Sequence, residues 1–112
     1  MAWKIDRDYL AQEFGTDDCP SRVGFGTKAP LEGETFTFRL LDDDGMVYYH
    51  GVADAKAAAD DQLYTALNWA MADAGAVDLQ VRANDAIEHG LTSRSYVESR
   101  NLNDTDWVSI YG

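Results

Sequence analysis

The stretch ETFTFRLLDDDGMVYYHGVA, residues 34–53, constrains the fold more than any other part of this chain. Phe36, Phe38 and Leu40 alternate with Thr35, Thr37 and Arg39. Successive side chains of a strand point to opposite faces, so a period of two marks one dry face and one wet face. The β-branched and aromatic content suits a pleated, half-buried surface. Asp42-Asp43-Asp44-Gly45 follows with turn chemistry, and Gly45 stands where a positive φ is tolerated. Met46–Ala53 then returns as the second strand of a hairpin. Two registers fit. A four-residue loop sets Val47 and Tyr49 beside the Phe36/Phe38/Leu40 row, whereas a bulged turn sets Tyr48, His50 and Val52 there. In either case one of Tyr48 and Tyr49 faces away from the core.

The flanking segments supply the rest of a domain. Trp3-Lys4-Ile5-Asp6 alternates as a short first strand. In DRDYLAQEFG, Asp6 or Asp8 can cap a short helix, Leu10 and Phe14 are spaced i,i+4, and Gly15 is a natural stop. Residues 15–33 read as a long loop in which Val23 and Phe25 pin a short strand. From Asp54 to Ala74 the spacing predicts the main helix, with Ala59, Leu63, Ala66, Leu67, Ala70 and Ala74 on one stripe and Tyr64 and Met71 at its edge. Asp54 or Asp60 is the expected N-cap and Gly75 the C-terminal cap. Val77–Arg82 is a strand with one wet face, and Asp106–Tyr111 the last strand. Between them, Asp85 and Glu88 have capping-box spacing ahead of Gly90, and LTSRSYVESR fits strand or helix. The order implies one α+β domain over residues 1–112, an antiparallel sheet with the helix of about 54–74 packed on one face.

Charge narrows the function. The 112 residues include 20 Asp+Glu against 9 Lys+Arg, a formal net charge of −11. That balance opposes direct binding to nucleic acid or to an anionic membrane surface. No apolar stretch is long enough to span a bilayer. MAWKIDRDYL lacks a signal-peptide run, and the single cysteine, Cys19, cannot close an internal disulfide, so a cytoplasmic location is expected. The acids gather at Asp17–Asp18, Asp42–Asp44, Asp60–Asp61 and Asp104/Asp106. Asp is short and favours caps and turns, which places much of this charge on loops and element ends. It forms either a solvated surface or a face that docks on a basic partner.

Catalytic and metal chemistry find little support. Cys19, His50 and His89 lie far apart with no zinc spacing, and the two histidines read as sheet-surface or loop residues. DDDG lacks the ligands of a calcium loop, since Leu40 and Gly51 occupy its first and twelfth positions. Cys19 precedes Pro20 in an acidic loop, where carboxylates raise a thiol's pKa and blunt it. Gly24-Phe25-Gly26-Thr27-Lys28 has neither nucleotide fingerprint spacing. The expectation is a non-enzymatic protein with no cofactor and no metal, binding through Asp42, Asp43, Asp44, Tyr48, Asp60, Asp61 and Trp69. Carboxylates would set encounter rate, and aromatic anchors would set affinity. Trp69 falls off the helix stripe, so it either packs against residues 83–105 or stands as such an anchor.

The WKID start, the LLDDDGMVYYHG hairpin, the acid clusters and the single-domain length resemble small acidic accessory proteins of phages and mobile elements. These include anti-restriction and anti-CRISPR proteins, some of which imitate the charge of nucleic acid. The resemblance is one of composition and size, and no functional residue carries over from it. It implies an inhibitor of a nucleic-acid-binding host defence protein, acting in the host cytoplasm through a basic protein partner such as a nuclease or CRISPR effector. Immunity proteins that neutralise a basic toxin share the same acidic, compact character and form the alternative. A small enzyme using Cys19 or a histidine is the third class.

Overall fold

The computed structural model describes residues 2–14, 21–60 and 62–111. The expected stop at Gly15, the acids Asp17, Asp18 and Asp61, and Cys19 lie outside the described residues. Among the described residues five strands, β1 (Trp3–Asp8), β2 (Thr35–Leu41), β3 (Val47–Asp54), β4 (Asp78–Arg82) and β5 (Trp107–Ser109), form one sheet in the order β1-β3-β2-β4-β5. Every pairing is antiparallel. The helices are α1 (Tyr9–Phe14), α2 (Ala55–Ala59), α3 (Leu63–Ala74), α4 (Ala83–Glu88) and α5 (Arg94–Ser99). The α+β class expected from the sequence is the class observed.

The hairpin register settles the choice between the tyrosines. Leu40 pairs with Tyr49, Phe38 with Gly51 and Phe36 with Ala53, so Tyr49 joins the dry row. Leu41 then pairs with Val47, which leaves Tyr48 in a bulge. Gly51 is required by packing. A Cβ there would lie 2.2 Å from Cζ of Phe38, a ring that is fully buried and has nowhere to go. Phe36, Phe38, Leu40, Tyr49, Leu79 and Val81 thus form the sheet side of the core, with Trp3 and Ile5 from the edge strand.

The helix expected over 54–74 is interrupted. Asp54 caps α2, its carboxylate accepting from the Ala57 amide at 2.9 Å. Its other oxygen accepts from the Glu32 amide at 3.2 Å. Asp60, the second candidate cap, instead ends α2. The Gln62 amide reaches back to the Ala57 carbonyl at 2.8 Å, closing a wider turn before α3 begins. Aspartate is a poor interior helix residue and opposes the dipole at a helix C-terminus, so an acid pair at 60–61 breaks the run. The stripe survives the break in altered form. Ala57, Ala58, Leu63, Ala66, Leu67 and Ala70 are buried, while Ala59 is exposed. Gly75 caps α3 with φ of 81°, as expected.

The ambiguous 83–105 segment is helical. Arg82 is the N-cap of α4, so Asp85 lies within its first turn rather than at the cap. Ser93 caps α5 by accepting from the Tyr96 amide at 3.1 Å. Ala83, Val97 and Val108, with Ile87 and Leu102 against them, form a second small apolar cluster at the β5 side. The opposite face of the sheet carries Lys4, Arg7, Thr37, Arg39, His50, Val52, Asp78, Gln80, Arg82 and Trp107, none of them buried.

Candidate binding surfaces

The acidic hairpin tip is partly consumed by its own turn. Asp42 Oδ1 accepts from the amides of Asp44 at 3.0 Å and Met46 at 2.9 Å, and Oδ2 accepts from the Tyr48 hydroxyl at 3.0 Å. The Met46 amide, followed by the Tyr48 hydroxyl and neighbouring amides, holds the Asp42 carboxyl below the usual carboxylate range. The same hydrogen bond raises the Tyr48 phenol. Asp42 and Tyr48 therefore build the turn. Asp43 and Asp44 remain exposed beside the exposed Met46, and no described cation lies within ion-pairing distance of either. Asp60 is exposed too, but it follows the far end of β3, away from the tip. The seven residues expected to bind a partner do not form one patch, and Asp61 lies outside the described residues.

Trp69 belongs to an aromatic cluster. Its ring stacks on Phe25 at 4.6 Å and 19°, and lies 5.0 Å from Tyr49 and 6.1 Å from Trp3. Its packing partner is the segment around Phe25, not residues 83–105. That segment is held along β1 by Ile5 N to Phe25 O and Gly24 N to Ile5 O, both 2.7 Å, and by Thr27 N to Trp3 O at 3.0 Å. Gly26 crosses β1 so closely that a Cβ would sit 2.1 Å from the Trp3 carbonyl oxygen. The expected short strand is thus a single bridge at Gly26, with Val23 exposed. Below the rings, Tyr49 donates to Asp73 at 2.8 Å, and Asp73 faces Arg22 at 3.4 Å. Burial first, then Asp73, pushes the Tyr49 phenol well above its ordinary value.

The face of the sheet opposite the core gathers what the sequence scattered. The guanidiniums of Arg39 and Arg82 each lie 4.4 Å from the centroid of the Trp107 ring. Such cation–π contacts hold both the ring and the charges in place. His50 meets Trp107 at 5.7 Å, and Tyr9 meets His50 at 5.3 Å, both edge-on. Burial, reinforced by Arg39, Arg7 and Arg82, lowers the His50 pKa against the opposing pull of Asp6. The wet positions of β2 and β4 already marked Arg39 and Arg82 as outward-facing. Nothing local could say that β4 would lie between β2 and β5 and bring Trp107 over both.

One group has metal-ligating composition. Glu34, Glu88 and His89 bring three donor atoms within 4.8 Å of one another. The contact with Glu34 raises the Glu88 carboxyl, and the His89 ring stacks on Phe36 at 4.6 Å. Two carboxylates and an imidazole suit a divalent transition metal. The Asp42–Asp44 trio is equally close, but hydrogen bonds of the turn occupy the oxygens of Asp42. No family model, curated protein or solved structure matches the chain.

Proposed function

We propose that this is a non-enzymatic binding protein that inhibits a basic, nucleic-acid-binding host defence protein, offering carboxylates where that partner holds phosphates. The observation supporting this reading is a set of exposed carboxylates left without ion pairs among the described residues. Lys4, Arg7, Arg39 and Arg82, four of the 9 basic residues, share the face of the sheet opposite the core, with Asp78 among them. Asp43, Asp44 and Asp60 stand exposed at strand and helix ends with no described cation in ion-pairing distance. These exposed carboxylates stay unpaired, and their field can steer a basic partner into register. Met46, exposed beside Asp43 and Asp44, adds an adaptable apolar contact at the tip.

The test is capture from host lysate on the immobilised protein, followed by elution with nucleic acid. The reading predicts enrichment of a nucleic-acid-guided nuclease or similar factor, its release by competing nucleic acid, and reduced capture by the Asp43→Asn/Asp44→Asn variant. Capture of a basic toxin, with no nucleic-acid competition, would assign the protein to the immunity class instead.

A further inference from the structure

We propose that Arg39, Arg82 and Trp107 form the phosphate seat of a second site, on the face of the sheet opposite the core, for a small nucleotide such as a nucleoside monophosphate. The site is separate from the acidic tip and does not depend on the inhibitor reading.

Three features carry the inference. The first is a pair of cations with no carboxylate in direct ion-pairing contact among the described residues. Arg39 Nε donates to the Gln80 side-chain oxygen at 2.7 Å, and Arg82 Nη1 donates to the Thr105 carbonyl at 2.6 Å. These neutral acceptors orient each guanidinium and leave its remaining N–H groups without an acceptor among the described residues. The chain has 20 acidic residues, yet no described carboxylate pairs with either arginine. Burial, then the neighbouring Arg82, makes the charged form of Arg39 less favourable than usual, against the opposing pull of Asp78. Two guanidiniums held against one indole, neither in a direct ion pair with a described carboxylate, can take an anion.

The second feature is the charge of that anion. A phosphate monoester carries about −1.5 to −2 near neutral pH, which matches two guanidiniums, whereas a carboxylate neutralises one. The planar guanidinium fork also fits phosphate oxygens bidentately. The third feature is the adjoining strip of rings. His50 and Tyr9 continue from Trp107 across the face, each meeting the next edge-on, giving a ridged, polarisable aromatic surface against which a base can pack. A small ligand is favoured over a polymer because the net charge of −11 repels a long polyanion, and Asp6 and Asp78 flank the face.

The experiment titrates the full chain with AMP, and separately with adenosine, inorganic phosphate, an oligothymidylate and an oligoglutamate peptide. Amide NMR shifts report the site, and calorimetry reports affinity. AMP is expected to bind, with shifts confined to residues around Arg39, His50, Arg82 and Trp107. Inorganic phosphate should bind more weakly at the same arginines, and adenosine should not bind measurably. Loss of one charge-assisted contact in Arg39→Gln or Arg82→Gln should weaken AMP at least about tenfold. Arg39→Lys keeps the charge and the fold while losing the fork, so it should also weaken AMP. In the AMP complex the His50 titration should move to higher pH, because the phosphate joins Asp6 in favouring the imidazolium against burial and the arginines Arg39, Arg7 and Arg82. No AMP binding at millimolar concentration, equal binding of adenosine, unchanged affinity in folded arginine variants, or tighter binding of the oligothymidylate or the acidic peptide would each overturn the proposal.

Discussion

Phe25 lies stacked on Trp69 at 4.6 Å between ring centroids, which ties a loop some forty residues away in sequence to the outer side of α3. Trp69 is thereby a packing residue, with Trp3 and Tyr49 completing its surroundings. Trp69→Ala should cost about 3 kcal/mol of stability. Thermal melting would show it as a sharp drop, and any lost binding would follow from unfolding. Unchanged melting with weakened binding would make Trp69 a docking anchor instead.

Gly51 and Phe38 form the tightest side-chain constraint on the sheet. Gly51→Ala should destabilise by about 1–3 kcal/mol, since the methyl group meets a buried ring at 2.2 Å. Adding Phe38→Leu should recover part of that loss, because the two sites are in contact and their effects are not additive. Denaturant melts of the single and double variants check this, and strict additivity would contradict it.

Asp54 links stability to pH. Burial pushes its carboxyl up, but the amides of Ala57, Ala2 and Glu32 together hold it below the ordinary value of 3.8. A carboxylate whose folded pKa is depressed stabilises the fold above its unfolded pKa, and that contribution disappears as the pH falls through the folded pKa. Asp54→Ala should cost about 1–2 kcal/mol at neutral pH as a lost helix cap. The gap between the wild type and the variant should narrow below pH 3.8. Denaturant melts across that range measure it, and a constant gap would mean the carboxylate charge is not what caps α2.

Much of this fold was legible from residue pattern. The alternation in β2, the Asp-rich turn, the wet face of β4 and the Gly75 cap are local signals, and local chemistry fixed them. The break at Asp60 was legible in principle, because an acid pair opposes a helix C-terminus, but the alanines on either side gave a stronger helical signal. The tyrosine choice depended on a bulge at Tyr48 that spacing alone leaves open. Trp69 and the Arg39–Trp107–Arg82 cluster were not readable. Each depends on which distant strands or loops become neighbours, and pairing order is a property of the whole chain. The proposed acidic site drew on the same clusters that the sequence displays, yet the structure divides them between opposite ends of β3 and assigns Asp42 to the turn.

The most direct test of the inhibitor account is the association rate of the captured partner, measured against ionic strength for the wild type and for Asp43→Asn/Asp44→Asn. Asparagine keeps turn chemistry, so the variant should melt like the wild type. Exposed charges are screened over about 8 Å at physiological salt. The account predicts a wild-type on-rate that falls steeply as salt rises, a slower on-rate for the variant at low salt, and convergence of the two at high salt with little change in dissociation. An on-rate that is the same at low and physiological salt, and the same in both proteins, would contradict it.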